Sequence, residues 1–281
     1  MVNGGVFTQN TSGLGTNLNT NTNPSATQSI TINGGDFYDN VNNGITVGEP
    51  SRSQTGTTTA YINGGSFHDN GLNGVSVCYE NQTANIKNVT IYNNAQTGIY
   101  VMGSTVNFVG NSAEKVYVHD NGWTYKSNVL VTMGGSFVGG YGEIYNTGSM
   151  TDSLSGVYVS NGTVTMNAGL VIRDHEDGIW LENSGSSGII NGGFISSNVN
   201  GILVDAAGCT VNGGEISGNT KGILTWYYST LGISGGMIVN NTYGIQGEDT
   251  SSITIAGTSA GAVRKAGKFC ERCHRKGLVQ K

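Results

Sequence analysis

A glycine followed by Ile or Val returns along this sequence at nearly constant intervals, and a fixed period of this size restricts the chain to a repeat architecture. Gly156, Gly178, Gly201, Gly222 and Gly244 are spaced 22, 23, 21 and 22 residues apart. Each belongs to a unit that reads apolar residue, Asn-Gly-Gly, any residue, Phe or Ile, two residues, Asn, a short turn, then Gly-Ile-any-Val. The clearest copies are TINGGDFYDNVNNGITV from Thr31, YINGGSFHDNGLNGVSV from Tyr61 and IINGGFISSNVNGILV from Ile189. VNGGEISGNTKGIL from Val211 and ISGGMIVNNTYGI from Ile233 follow, with degenerate copies from Ile86 and at Gly156 and Gly178. Gly44 and Gly74 are 30 residues apart and Gly98 and Gly156 are 58 apart, so residues 104–150 read as irregular coils bearing insertions.

In Gly-Ile-any-Val the Ile and Val alternate with an outward residue, the period-2 pattern of a strand. A coil of about three such strands cannot bury its Ile, Val and Phe alone. Stacking coils about 4.8 Å apart buries them and pairs the strands in parallel. Gly supplies positive φ in the turns, and Asn tolerates the left-handed region and bonds its own backbone. The Asn four residues before the Gly, at Asn40, Asn70 and Asn94 with Asp174 in the same column, is expected to stack as a ladder that satisfies turn backbone. The expected fold is all-β, a single-stranded right-handed parallel β-helix (solenoid) of about ten coils, with about 22 residues per coil. It would occupy residues 1–258, with 11–28 as a cap or loop and 259–281 as a basic C-terminal tail.

Composition agrees. There are 46 Gly, only 2 Pro and 11% charged residues, against a usual charged share of about 25%. Glycine at this level without Pro excludes collagen, and the bulky apolar residues exclude a disordered linker. The net charge of −5 hides an asymmetry, because Arg264, Lys265, Lys268, Arg272, Arg275, Lys276 and Lys281 hold seven of the 13 basic residues. Nothing before them offers a basic face, so no nucleic-acid partner is expected. No apolar run approaches the roughly 18 residues of a membrane span. The opening MVNGGVFTQN is already repeat sequence, without the basic and apolar regions of a signal peptide. The expectation is a cytoplasmic chain or a piece of a longer exported one. Cys78 and Cys209 lie apart in the array, which argues against a disulfide framework.

The segments GGDFYDN, GGSFHDN, GGEISGN and GGMIVNN resemble the GG-x-[IF]-x-x-N repeats of bacterial adhesin-like surface proteins with right-handed parallel β-helix repeats. The same motifs are seen in polymorphic outer-membrane autotransporters. The resemblance spans about residues 3–255 and implies export and display at the cell surface, while saying little about activity.

Four constellations are candidates for chemistry. Arg173-Asp174-His175-Glu176-Asp177 places acids, a general base and a cation on one turn. It resembles the outer-face sites of pectate-lyase-like polysaccharide lyases and epimerases. The neighbouring turns offer no supporting acidic set, and a polar repeat turn explains the same residues. Asp39, Asp69 and Asp120, with His68 and His119, would form an acid or metal column, or simply vary an exposed turn. The outward position of Gly-Ile-any-Val reads Thr46, Ser76, Tyr100, Tyr158, Trp180, Leu203, Leu224 and Gln246. An exposed aromatic stripe of this kind marks a contact surface, so Tyr100, Tyr158, Trp180 and nearby Trp226 are the candidate ligand-binding residues. Finally, Cys270, Cys273 and His274 match C-x-x-C-H, the c-type haem spacing, or three of the four ligands of a closed zinc site. Nothing around them resembles a cytochrome domain, and chance occurrence in a basic tail is the favoured reading.

The expectation is therefore a non-enzymatic extracellular or cell-surface solenoid, adhesin-like or structural. It would contact a polysaccharide or a host or cell-surface protein through the aromatic stripe, need no cofactor, and be able to oligomerise through an exposed face. The alternative is a polysaccharide lyase, epimerase or hydrolase using Asp174, His175, Glu176 and Asp177.

Overall fold

A computed structural model describes residues 1–16, 27–48, 56–79, 81–122, 127–148, 155–248 and 250–256, together with the backbone of 279–280. The chain is a parallel β-helix, and the described residues contain no helix. Three short strands recur per coil. The first set pairs as a ten-stranded parallel sheet, from Val6–Thr8 and Asp36–Tyr38 at one end to Glu215–Ser217 and Met237–Val239 at the other. The second set includes Thr97–Met102, Asp177–Glu182 and Asn200–Asp205. The third includes Thr83–Ile86, Thr105–Phe108 and Ser187–Ile190. Two long strands, Ser127–Gly139 and Ser155–Met166, run through both the second and third sheets, and their mutual register shifts between Thr132 and Gly135.

The core consists of columns of like residues. Phe37, Phe67, Ile91, Val118, Ile144, Ile172, Ile195, Ile216 and Ile238 lie in register along the first sheet, each at most 1% exposed. Phe7, Phe37 and Phe67 stack face to face, with centroids 4.4 and 4.7 Å apart. The Ile and Val of Gly-Ile-any-Val fill the matching columns of the second sheet, as the period-2 pattern requires. The outward face of the third sheet carries hydroxyls in register, from Ser29 through Thr59, Thr83, Thr105, Ser136 and Thr163 to Ser187.

The recurring Gly of that motif is required by close approach. A Cβ on Gly201 would lie 2.5 Å from the carbonyl oxygen of Gly222 and 3.0 Å from the Asn219 amide, and the same holds at Gly178 and Gly222 against their neighbours. The second Gly of Asn-Gly-Gly, or of Ser-Gly-Gly in the last copy, has positive φ, between 83° and 128° at Gly35, Gly65, Gly193, Gly214 and Gly236.

One core position breaks the apolar rule. Thr225 continues the column of Val159, Leu181 and Val204, is fully buried, and its hydroxyl has no partner. An orphaned hydroxyl in an apolar column is destabilising. Thr225→Val should therefore raise unfolding stability by about 1 kcal/mol, read as a higher urea midpoint at unchanged m; an unchanged or lower midpoint would contradict this.

The Asn ladder is present in two runs. Side-chain amides run Asn10 to Asn40, Asn70, Asn94, Asn121, Asn128 and Asn146, and resume from Asn198 to Asn219 and Asn241, with amide–amide distances of 2.8–3.2 Å. Coil spacing along it is 30 residues at the N-terminal end and 21–23 toward the C-terminal end. The 22-residue period thus holds for the later coils and lengthens before them.

Asp174 is not a rung of this ladder, contrary to the sequence-based expectation. It belongs to the preceding column of left-handed residues, with Asp39, Asp69, Asn93, Asp120, Ser197 and Asn240, at φ between 50° and 63°. His175 takes the rung. From this coil onward the turn between ladder and Gly is one residue shorter, so His175, Asn198, Asn219 and Asn241 precede Gly178, Gly201, Gly222 and Gly244 by three positions and not four.

Candidate functional site

The four acid–base candidates do not converge. Asp174 bends back in the left-handed turn and pairs with Arg173. Glu176 is exposed. His175 is fully buried: its backbone N–H donates to Asn198 Oδ1 at 3.0 Å, Asn128 Nδ2 donates to its Nε2 at 3.0 Å, and its Nδ1 has no partner. Burial is the main force on this imidazole. It outweighs the Asn198 hydrogen bond and brings the pKa down to about 3. Asp177, at the start of its strand, is 6% exposed and accepts from Asn200 Nδ2 at 2.8 Å. Burial raises its carboxyl to about 7 against the lowering effect of that bond.

The aromatic stripe follows the expected register and gains Leu130 between Tyr100 and Tyr158. Tyr158 and Trp180 stack at 4.6 Å with their planes 27° apart. The Tyr158 hydroxyl donates to Glu182, and burial together with that carboxylate pushes the phenol up to about 12. One correction applies. The stripe is not an exposed apolar surface, because Leu130, Leu203 and Leu224 are 7%, 4% and 0% exposed. Trp226 lies beside the stripe, one column over, in register with Asp205, which follows Glu182 in the same column. The indole N–H groups of Trp180 and Trp226 are buried and lack acceptors.

A second aromatic column, on the ten-stranded sheet, had not been anticipated. Tyr38, His68, Tyr92, His119 and Tyr145 occupy the position after each core Phe, Ile or Val, and their rings stack in sequence at 4.6–5.3 Å. The Arg173 guanidinium caps the stack, 4.4 Å from the Tyr145 centroid. Carboxylates flank it: Asp36 and Asp69 bond the two nitrogens of His68 at 3.0 and 2.6 Å, and Asp120 bonds His119 at 2.8 Å. Burial raises the Asp120 pKa, but the Thr147 backbone N–H and His119 reverse that and leave it lowered. His68 and His119 are thus in one column but separated by Tyr92. The GG-x-F-x motif marks only Tyr38 and His68; Tyr92, His119 and Tyr145 follow core residues without the Gly pair, so the column emerges from strand register.

Where the column ends lies an open cleft of about 470 Å³, lined by Tyr145, Asn146, Thr147, Arg173, Asp174 and Ser197 among others. Arg173 is tied there to Asp174 and, at 3.6 Å, to Glu143.

A family model described as periplasmic copper-binding protein (NosD) matches residues 120–273, just over half of the chain. The chain belongs to the NosD family. No curated protein and no solved structure matches it. The NosD match agrees with the parallel β-helix seen here and does not specify an adhesin or autotransporter type. The name attributes copper binding to NosD proteins, and the residues present can be tested for it. Among the described residues no three His, Cys, Asp or Glu side chains are grouped to hold a metal. Cys78 and Cys209 are free and buried, and burial raises both thiols, Cys209 to about 12, which opposes the thiolate a metal needs. The described residues therefore do not fit a copper centre. Cys270, Cys273 and His274 lie outside the described residues.

Proposed function

We propose that this chain is a non-enzymatic β-solenoid of the cell envelope, acting as a structural or adhesin-like element that contacts a glycan or a protein through its outer faces. The observation that supports it most is the position of His175. The one base in the acid-rich turn is a neutral, fully buried rung of the turn ladder, so a lyase or epimerase acting there would lack its proton acceptor. The periplasmic description of the NosD family is compatible with an envelope location. No step through copper follows, since the described residues do not assemble ligands for it.

The ligand contact assigned here is the Tyr158–Trp180 pair with Glu182 and Asp205 beside it. Flat aromatics beside carboxylates suit a hydroxyl-rich ligand. Trp180→Ala should weaken co-sedimentation with polysaccharide by about tenfold, equivalent to roughly 1.4 kcal/mol, while the far-UV circular dichroism stays that of the parent. Unchanged retention in a folded variant would remove this face from the reading.

A further inference from the structure

We infer that the outward face of the third sheet binds the surface of ice. The proposed glycan contact lies on the second sheet, so the inference does not depend on it. Each of the ten rungs of the third sheet presents two outward residues. The first column is the hydroxyl row from Ser29 to Ser187, continued by Gly208, Thr230 and Ser252. The second, two residues further on, includes Thr31, Asn85, Asn107, Thr165, Thr210 and Thr254. Thirteen of the twenty positions are Thr or Ser, none is charged, and all twenty are half-buried or exposed. The ten-stranded sheet differs, with His68, His119, Glu143, Arg173 and Glu215 outward.

The hydroxyls of this face are unspent. Among the described residues none of the thirteen bonds another group of the chain, so each can stand in for one water oxygen of the lattice while the Thr methyl beside it fills a hollow. Other polar groups at this sheet are engaged with one another: Asn107 donates to Asn85 and Asn63 to Asn33, both at 3.0 Å, and Lys87 pairs with Glu114 at 2.8 Å. The array is also regular. Parallel strands lie about 4.8 Å apart and alternate residues of one strand about 6.6 Å apart, both close to the spacings of oxygen rows on a prism face of ice. The seven unbroken Ser and Thr rungs from Ser29 to Ser187 therefore form a lattice about 29 Å long. Buried Ala60, Ala84, Val106, Phe137 and Val164 lie in register beneath it, and side-chain ladders keep a long sheet of this kind flat. The absence of charge decides against ordinary hydration, because an ion orients water around itself in a way that ice cannot continue. A sugar ring calls for aromatic platforms, and this face holds one aromatic residue, Tyr61. Individually weak contacts add up because the rigid sheet presents all of them together.

The test uses the full chain and ice itself. Partition of the protein into a slowly growing ice front, inhibition of recrystallisation and the gap between freezing and melting points are measured together. The wild type is compared with Thr105→Lys and Thr163→Lys, which put a long charged side chain in the middle of the array, and with Thr90→Lys, an equivalent outward change on the ten-stranded sheet. The expected result is that the wild type enters the ice and blocks recrystallisation, that both lysines in the array lose this severalfold or more, and that Thr90→Lys keeps it. Circular dichroism checks each fold, and Thr163, which is exposed, carries the test if Thr105→Lys does not fold. Exclusion of the wild type from ice, full activity in folded Thr163→Lys, or an equal loss in folded Thr90→Lys overturns the inference. Retention on crystalline cellulose without any effect on ice also overturns it and makes this face a polysaccharide surface instead.

Discussion

Asn94→Ala is expected to destabilise the solenoid by about 4 kcal/mol. Asn94 is fully buried, and its side chain serves three coils at once. Its Oδ1 accepts from the backbone N–H and the side-chain amide of Asn70, at 3.2 and 2.8 Å. Its Nδ2 donates to the Phe67 and Tyr92 carbonyls and to Asn121 Oδ1, at 2.8–3.0 Å. Truncation leaves a buried N–H, an amide hydrogen and two carbonyls with fewer partners, and each unsatisfied group costs about 1–3 kcal/mol. Neighbouring side chains cannot move in to compensate, because the same bonds hold them in their own coils. A chemically identical contact elsewhere provides the contrast. Asn212 donates to Asn191 at 3.0 Å in an exposed ladder at another corner, where water replaces the lost partner, so Asn212→Ala should change stability by less than about 0.5 kcal/mol. Urea midpoints for the two variants measure the difference directly. Equal effects would show that the buried ladder is not what fixes the turns.

The second large effect is a pH dependence that the wild type conceals. Burial brings His175 down to about 3 in the folded chain against an ordinary 6.5, and raises Asp177 to about 7 against 3.8. For His175 the unfolded chain binds the proton first, so its contribution is intact above pH 6.5 and lost as pH falls toward 3. For Asp177 the folded chain binds the proton first, so its contribution is intact below pH 3.8 and lost as pH rises through 7. Between about pH 4 and 6.5 the two slopes are opposite, each about 1.4 kcal/mol per pH unit, and they cancel. Substituting either residue exposes the other. His175→Asn, which restores an amide rung, should be more stable than wild type at acid pH and lose stability from pH 4 to 7. Asp177→Asn, which can still pair with Asn200, should be the more stable one at pH 8 and lose stability from pH 6.5 downward. The full amplitude for each is about 4 kcal/mol. Denaturation midpoints across pH 3.5–8 check both signs, and parallel profiles for the two variants would contradict the buried placement of these groups.

Why the fold was readable and the site was not follows from particular residues. Ile179, Leu181 and their counterparts must face inward in every coil, so the same offset from Gly identifies the core throughout. The ladder was legible at Asn40, Asn70 and Asn94 for the same reason. It was misplaced at Asp174 because the offset of four from the first coils was carried over to coils whose turn is one residue shorter; Asn198, Asn219 and Asn241, three residues before their Gly, give the offset that puts His175 on the rung. The outward stripe was correctly registered, yet its burial at Leu203 and Leu224 depends on what lies over it, which a repeat pattern does not encode. The Tyr–His column was invisible until Phe67, Ile91, Val118 and Ile144 were aligned, since its neighbours are 24–30 residues apart in sequence.

Product formation from polysaccharides is the deciding measurement. Wild-type chain and His175→Asn are incubated with neutral and uronate polymers, following unsaturated-product absorbance and reducing ends, with co-sedimentation in parallel. A buried, neutral His175 and a dispersed acidic turn require that neither protein forms product, and the proposed ligand contact requires that a polymer co-sediments with both. Product that accumulates with the wild type and disappears with a folded His175→Asn would show a catalytic base at that turn and contradict the non-enzymatic reading.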